Sequence, residues 1–224
     1  GNFENTSKNQ IALKNQLLNT YQTNKNEIAI VYGEERLSYQ ALAGRVKVLS
    51  SEIDWLLKDI GAIKPLVAIY LENSIDFVVS VLAAVNAGAC YLPIDRQTPL
   101  ERLKFILNDS QGDLLISGAE FIKEETRLGL PIVLLDKLPK RNPQETDEDI
   151  SIKSSLTNPL YCIYTSGSSG QPKGVECSEA ATLDLLDWYK GEYFSSDLGK
   201  LNNLVLSSFS FDLSQKNIFS TLLS

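Results

Sequence analysis

Histidine is missing altogether from the 224-residue sequence. Without an imidazole, the chain cannot build a Ser-His-Asp or a Cys-His catalytic group, and a zinc site with histidine ligands is excluded as well. Any chemistry that the protein performs must therefore rest on carboxylates, hydroxyls and lysines.

Cysteine is scarce, and the three residues of this type are Cys90, Cys162 and Cys177. They are far apart, odd in number, and each stands in an apolar or mixed segment. This pattern is typical of reduced packing residues in a cytosolic protein, so we expect a cytoplasmic location. It indicates no metal site.

Long apolar runs and excess positive charge are also missing. The longest apolar stretch, residues 77–89, is interrupted by polar residues and glycine and is too short to cross a bilayer, and residues 1–9 contain no apolar signal core. The formal net charge is −7, which argues against a nucleic acid or an anionic membrane surface as the main partner. A local basic pocket around Lys173 remains open.

What the sequence does contain is a segment rich in glycine and hydroxyl groups, residues 164–175, here called the Ser-Gly segment. It follows an apolar run and ends in Pro-Lys-Gly before a valine. Glycine lets a backbone turn tightly and approach a ligand, hydroxyls add donors, and lysine supplies a mobile positive charge for phosphate oxygens. The segment therefore predicts a loop that handles a triphosphate such as ATP. The residues concerned are Thr165, Ser166, Gly167, Ser168, Ser169, Gly170, Lys173 and Gly174.

The spacing in the Ser-Gly segment matches neither of the two common nucleotide motifs. No Gly-Lys-Ser/Thr follows a glycine by four residues, and the Gly-x-Gly-x-x-Gly pattern is not present. A cluster of Ser, Gly and Pro is most often a solvated surface loop, in which Lys173 would be an ordinary exposed lysine. The strand-like run before the segment and the terminal Pro-Lys-Gly favour phosphate binding instead.

Strand-like and helix-like patterns alternate along the chain. Short runs rich in Ile, Val and Leu predict buried strands, and longer segments between them predict helices. Such alternation is typical of βαβ units, so the expected fold class is α/β, with mostly parallel sheets and helices on both faces. The predicted strands are residues 28–32, 66–71, 90–95, 114–117, 132–135, 160–165 and 204–207.

Local signals mark the ends of the helices. Ser38, Ser74 and Thr98 each precede a helical pattern, as capping residues do, and glycines at Gly61 and Gly88 end the first two helices. Further helices are predicted at residues 119–127, 179–189 and 214–223. Residues 137–158 turn polar, acidic and proline-containing, which predicts a surface connector or a subdomain boundary.

Four segments, in order, resemble the early motifs of the adenylate-forming (AMP-binding) superfamily. The resemblance is to the amino-acid adenylation domains of nonribosomal peptide synthetases, and it covers most of the chain from about residue 37 onward. The segments are residues 37–42 (LSYQAL), residues 82–95 (LAAVNAGACYLPID), the Ser-Gly segment and residues 211–214 (FDLS).

This resemblance implies a reaction and its components. A complete domain of this kind activates an amino acid with ATP, in the presence of Mg²⁺, and transfers it to the phosphopantetheine of a peptidyl carrier protein domain. Lys173 and Thr165 would then be catalytic. The residues that would bind the phosphates are Thr165, Ser166, Gly167, Ser168, Ser169, Gly170, Lys173 and Gly174.

Asp212 is the residue to which the resemblance assigns substrate binding. In the family, the aspartate of the fourth motif pairs with the α-amino group of the amino acid, and a carboxylate is a good partner for an ammonium. Without the resemblance, the residues around Asp212 favour the N-cap of a helix instead.

Two features depart from the family pattern. Glu179 stands where many members carry a histidine, and the later motifs, for the adenine pocket, the ribose and a C-terminal lysine, are not found in this sequence. We therefore expect residues 1–224 to be the N-terminal part of an adenylation domain core, with the C-terminal lid subdomain absent and the fragment inactive by itself.

Two alternatives remain open. An acyl- or aryl-CoA ligase shares the Ser-Gly segment but has no α-amino group to bind. A non-catalytic or split chain would instead bind a complementing polypeptide through its apolar end near residues 218–223.

Overall fold

The structure is a computed structural model that describes residues 12–122, 128–138, 156–166, 172–193, 209 and 212–223, with the backbone alone at 166, 193, 212 and 213. The α-helices within these ranges are α1 (Leu13–Thr23), α2 (Tyr39–Asp59), α3 (Ile75–Asn86), α4 (Leu100–Asp109), α5 (Glu179–Tyr193) and α6 (Asp212–Leu222), and Leu135–Lys137 form a short 3-10 helix. The strands are β1 (Ile28–Tyr32), β2 (Glu35–Ser38), β3 (Leu66–Leu71), β4 (Cys90–Asp95), β5 (Leu114–Ser117), β6 (Ile132–Leu134), β7 (Pro159–Ser166) and β8 (Pro172–Ser178).

Six of these strands form one sheet, in the order β6-β5-β3-β4-β7-β8. Every neighbouring pair is parallel except β7 and β8, which are antiparallel. Strands β1 and β2 form a separate antiparallel hairpin. The predicted α/β class with a mostly parallel sheet is confirmed, whereas β2, β8 and the short helix α1 were not predicted.

Helices pack on both faces of the sheet, as expected. Helices α2, α3 and α6 share one apolar core with one face of β3 and β5. On the other face, Leu103, Ile106 and Leu107 of α4 pack against Ala68 and Leu92. Burial of one such leucine or isoleucine stabilises the fold by about 2 kcal/mol. Because α3 follows β3 on one face and α4 follows β4 on the other, the carboxyl ends of β3 and β4 form a topological switch point.

The predicted ends of the first two long helices are confirmed. The Ser38 and Ser74 hydroxyls each accept a hydrogen bond at 3.2 Å from an amide three residues later, at the starts of α2 and α3. Gly61 and Gly88 follow these helices with φ of +68° and +73°, a left-handed conformation that glycine adopts without strain.

The predicted cap at Thr98 is wrong. Helix α4 begins at Leu100, so the N-cap position falls on Pro99, whose side chain makes no capping hydrogen bond. The Thr98 carbonyl instead accepts a hydrogen bond from the Tyr70 hydroxyl at 3.1 Å. The sequence signal therefore placed the N-cap one residue too early.

The helix predicted at residues 119–127 is not found in its described part. Residues 119–122 form a turn, in which the Phe121 amide donates to the Gly118 carbonyl at 3.0 Å. Residues 123–127, most of the predicted connector and the predicted strand at 204–207 lie outside the described residues. Within the described residues, every helix is too short or too polar to cross a bilayer.

Candidate active site

Two predicted phosphate-binding residues face each other across the β7–β8 hairpin. In its antiparallel register, Thr165 pairs with Lys173, and Ser166 pairs with Pro172. Directly opposite residues of such a pair project from the same face with Cβ atoms about 5 Å apart. Thr165 and Lys173 are both exposed. The hairpin thus brings a hydroxyl and an ammonium together at the base of the segment that joins the two strands.

Both ends of the Ser-Gly segment are strand. The strand predicted at residues 160–165 is confirmed, whereas the strand at residues 172–175 corrects the prediction of a loop there. Residues 164–166 belong to β7 and residues 172–175 belong to β8. The predicted site residues between them, Gly167, Ser168, Ser169 and Gly170, lie outside the described residues, as does the side chain of Ser166.

The hairpin lies at the edge of the sheet where ligands of α/β proteins bind. Strand β7 runs parallel to β4, so Thr165 and Ser166 lie at the carboxyl end of β7, on the same edge as the switch point between β3 and β4. Binding sites in open α/β sheets lie along this edge. The position of Thr165 and Ser166 on this edge is therefore compatible with the predicted binding of phosphate.

Gly174 has a packing role in the hairpin. It pairs with Tyr164 across the strands, and a Cβ added there would lie 3.0 Å from the Tyr164 ring and 3.1 Å from Cys162 Sγ. Any larger residue would push the Tyr164 ring away. A side chain at this position therefore requires Tyr164 and Cys162 to shift by a few tenths of an ångström, independently of any ligand.

Tyr164 connects the hairpin to the end of α4. Its hydroxyl donates to Asp109 Oδ2 at 2.6 Å. Desolvation, followed by the contact with Asp109, raises the pKa of Tyr164, so the hydroxyl stays protonated and remains a donor. Sequence reasoning missed Asp109 because it lies 55 residues before Tyr164 and no local pattern joins the two.

The three cysteines are free. Cys90 and Cys162 are buried, and Cys177 is partly buried. Burial, with a smaller contribution from the Glu176 carboxylate, raises the pKa of the Cys162 thiol to about 11. Burial likewise raises the pKa of Cys90. These two thiols are therefore protonated at neutral pH and are poor nucleophiles.

Glu179, the residue that departs from the family pattern, has a structural partner. It begins α5 and is 7 % exposed. Its Oε1 accepts a hydrogen bond from the Leu13 amide at 2.7 Å. The N-cap residue of α1, Ala12, provides no side-chain cap, so Glu179 binds a free amide at the start of that helix.

Asp212, the residue that was predicted to bind the amino group, lies at the start of α6. The helix begins at Asp212, whose side chain lies outside the described structure. Its buried residues Ile218 and Phe219 share the core with Leu183 and Leu186 of α5, and α5 follows β8 directly. The chain thus leads from the hairpin through α5 to a helix packed beside it.

The end of α6 is held by a lysine. Lys190 Nζ donates to the Leu223 carbonyl at 3.0 Å. Burial lowers the pKa of Lys190, and the charge of Asp187 partly opposes that effect. A cation at the C-terminal end of a helix is favourable for the helix dipole.

Two adjoining clefts open at the carboxyl ends of the strands. The smaller one, about 390 Å³, lies at the switch point and is lined by residues that include Asp95 and Arg96. The larger one, about 1230 Å³, is lined by residues that include Arg45. Neither is lined by Thr165 or Lys173. We place the candidate site at the hairpin because the hairpin carries the candidate phosphate donors Thr165 and Lys173, and neither cleft contains them.

The donors at the hairpin suit phosphate rather than a metal ion. A hydroxyl and an ammonium both donate to phosphate oxygens. Among the described residues, no group of three or more carboxylate or cysteine side chains is arranged to hold a metal ion. A divalent cation at this site would accordingly be bound largely by the phosphates of a nucleotide.

Solved structures with the same fold include a nonribosomal peptide synthetase and a CoA synthetase. FmoA3, the peptide synthetase, in its AMPPNP-bound form superposes with a TM-score of 0.81 at 21 % identity, over 95 % of this chain and 22 % of that chain. The o-succinylbenzoate CoA synthetase MenE from Bacillus subtilis, in complex with the acyl-adenylate intermediate OSB-AMP, gives 0.75 at 19 % identity, over 93 % and 53 %. At these identities the likeness establishes the fold.

Curated relatives are more similar in sequence. Bacitracin synthase 3 from Bacillus licheniformis is 34 % identical over 199 residues, and tyrocidine synthase 3 from Brevibacillus parabrevis is 32 % identical over 197 residues. Each alignment covers 88 % of this chain but only 3 % of the relative. The chain therefore spans a small part of the length of these synthases.

A family comparison covers nearly all of the chain. Residues 18–224 match the model that describes AMP-binding enzymes. That range contains the β7–β8 hairpin, the switch point and α6, which are the parts of the fold that carry the candidate site. The chain therefore belongs to the AMP-binding enzyme family.

Proposed function

We propose that this chain is part of an amino-acid adenylation domain of a nonribosomal peptide synthetase. The domain activates an amino acid with ATP, which gives an aminoacyl adenylate and pyrophosphate. The observation that carries the proposal is the pairing of Thr165 with Lys173 at the base of the Ser-Gly segment. The peptide synthases among the relatives support the choice of an amino acid as substrate.

The chemistry of adenylation explains why donors are needed at the hairpin. A carboxylate oxygen of the substrate attacks the α-phosphorus of ATP, and the bond to the oxygen that bridges the α- and β-phosphorus atoms breaks. Negative charge then accumulates on the leaving pyrophosphate. Lys173 and the Thr165 hydroxyl stabilise that charge because they are already in place when it develops.

The remaining residues of the Ser-Gly segment complete the phosphate site in this proposal. Ser166, Ser168 and Ser169 donate hydroxyls, and the glycines among them allow the backbone amides to approach the phosphates. Mg²⁺, when bound with ATP, neutralises part of the phosphate charge. The residues of the hairpin orient the phosphates and bind the leaving group.

Asp212 binds the α-amino group of the substrate in this proposal. Its backbone begins α6, and a carboxylate at a partly desolvated position pairs well with an ammonium. The alternative role as a helix N-cap would not require a carboxylate, since asparagine or serine serves equally well.

Later steps use parts that this chain does not supply. We propose that residues 1–224 form the N-terminal part of the adenylation core, that residues 137–158 connect subdomains, and that a C-terminal lid follows in the complete protein. The aminoacyl group then passes to the phosphopantetheine thiol of a carrier domain. We expect residues 1–224 alone to be inactive.

A CoA ligase is the second candidate, favoured by the likeness to MenE. The two candidates differ in whether the substrate carries an α-amino group. Asp212→Ala in the complete protein should impair activation of an amino acid severely, whereas a ligase for a simple acid would lose little. An unchanged rate would therefore favour the ligase.

The phosphate site is tested by Lys173→Ala in the complete protein that carries this chain. We expect ATP–pyrophosphate exchange with the preferred amino acid to fall by about a hundredfold, because one charge-stabilising donor is removed. Lys25→Ala is the matched control, since Lys25 is an exposed lysine far from the hairpin in sequence. Equal exchange rates in the two variants would refute the phosphate site.

A further inference from the structure

A buried chain of hydrogen bonds connects β4 to the first turn of α6. Tyr91 and Gln215 are 0 % and 1 % exposed. The Tyr91 hydroxyl donates to Gln215 Oε1 at 2.7 Å, and Gln215 Nε2 donates to the Phe209 carbonyl at 2.6 Å. Both ends of the Gln215 amide therefore have partners, which a buried amide requires.

Phe209 is itself anchored from two further sides. Its ring stacks on Phe77 of α3, with centroids 4.6 Å apart and 13° between the planes. Its amide donates to Asn73 Oδ1 at 3.1 Å. The residue is therefore fixed by α3, by the turn before α3 and, through Gln215, by β4.

These anchors stand on either side of Asp212 in the sequence. Phe209 precedes Asp212 by three residues, and Gln215 follows it by three residues, nearly one helical turn later. Because the Gln215 side chain reaches back to the Phe209 carbonyl, it ties the first turn of α6 to the segment that enters the helix. A shift of that turn would leave a buried hydroxyl and a buried carbonyl without partners, which is unfavourable.

The chemistry of this contact is specific to glutamine. Burial raises the pKa of Tyr91 well above its ordinary value, so the hydroxyl stays protonated and needs an acceptor. The Phe209 carbonyl needs a donor. A glutamine at position 215 supplies both from one side chain, whereas leucine supplies neither and glutamate supplies no donor to the carbonyl when it is ionised.

We propose that Gln215, held by Tyr91, is a positioning residue that sets the place of Asp212 for the α-amino group of the substrate. This inference rests on the proposed function. A residue that merely contributes to the core would affect the binding of ATP and of the amino acid alike. A residue that acts through Asp212 affects the amino acid alone.

The test compares Michaelis constants in the complete protein that carries this chain. Gln215→Leu is expected to raise the KM for the amino acid about tenfold and to leave the KM for ATP unchanged. Tyr91→Phe, which removes a single oxygen, is expected to shift the same constant in the same direction and serves if Gln215→Leu does not fold. Gln22→Leu, at an exposed glutamine of α1, is the control and should change neither constant.

A combination with Asp212→Ala separates this inference from the proposed function. Asp212→Ala is expected to raise the KM for the amino acid, and adding Gln215→Leu to it should cause no further rise, because the effect passes through Asp212. A full additional rise, or an equal rise in both constants for Gln215→Leu alone, would overturn the positioning role and leave the proposed function intact. An unchanged KM in Asp212→Ala would overturn the proposed role of Asp212 and the positioning role together.

Discussion

Single residues of the β7–β8 hairpin differ in exposure and in packing, and we propose that they divide accordingly between ligand binding and stability. Thr165 and Lys173 are exposed at the end of the hairpin where β7 and β8 are joined, whereas a Cβ at Gly174 would press on the Tyr164 ring. The glycine and the two polar residues belong to one sequence segment, yet Gly174 differs from the polar pair in that a side chain there would press on its neighbours. Substitutions in this segment should therefore divide into those that lower activity and those that lower stability.

Gly174 provides the first test of stability. Gly174→Ala is expected to lower the free energy of unfolding by about 1–3 kcal/mol, because the added methyl group overpacks the contact with Tyr164 and Cys162. Gly191→Ala is the matched control, since a Cβ at that position in α5 meets nothing within 4 Å, and alanine there should stabilise the helix by about 0.5–1 kcal/mol. Urea unfolding measures both, and effects of the same sign would contradict the packing role.

The Cys162 thiol makes the stability of the fold fall as the pH rises through the alkaline range. Its pKa is raised from the ordinary 9.0 to about 11 in the folded chain. Between these values the unfolded chain loses the proton first, so stability that is fully present below about pH 9 is lost as the pH rises toward about 11. The thermal midpoint should therefore fall more steeply over this range in the unsubstituted protein than in Cys162→Ala. Parallel curves would show that Cys162 does not contribute.

Candidate site residues could be proposed from the sequence, but their partners in the fold could not. Thr165, Lys173 and Asp212 stand in recognisable motifs. Asp109 and Gln215 carry no such signal, because each acts through one side chain that is distant in sequence. The Tyr91–Gln215 hydrogen bond, for example, spans 124 residues, and only the folded chain brings its two ends together.

Among the elements, those with strong local patterns were located well, although the prediction that β1 is buried is wrong, since Ile28, Val31 and Tyr32 are exposed in the separate β1–β2 hairpin. Strands β3 and β4 are buried runs that are bounded by clear turn signals, and the observed bounds agree with the prediction. Strand β8 was missed because its sequence, PKGVECS, contains Pro, Gly and Ser, and its pairing with β7 makes it a strand. Helix α1 was missed because its sequence, LKNQLLNTYQT, is mostly polar.

The first turn of helix α1 is held by Glu179, which lies 166 residues after Leu13 in the sequence. Glu179→Ala removes the acceptor for the Leu13 amide and is expected to lower the free energy of unfolding by about 1 kcal/mol. Glu179→Gln should cost less, because the amide oxygen still accepts. The control is Glu192→Ala, at an exposed position of the same helix α5.

The measurement for Glu179 is hydrogen exchange in α1 together with urea unfolding. Faster exchange in the first turn of α1 for Glu179→Ala, with no change for Glu192→Ala, is the expected result. Unchanged exchange in Glu179→Ala would show that the contact with Leu13 does not hold the helix.

On the scale of the whole molecule, the parallel sheet brings the functional segments to one edge. Strands β3, β4 and β7 run in the same direction, so the switch point and the base of the Ser-Gly segment share the carboxyl edge of the sheet. The alternating strand and helix pattern predicted the fold class, because each βαβ unit is local in sequence. The strand order, in which β3 lies between β5 and β4, depends on long-range packing and was not predicted.

The central claim, that the complete protein activates an amino acid, is tested most directly by ATP–pyrophosphate exchange. Each standard amino acid would be compared with the carboxylic acid that has the same side chain and no α-amino group. The account predicts exchange with one or a few amino acids and little with the corresponding acids. Equal or faster exchange with the acids that lack the amino group would contradict it.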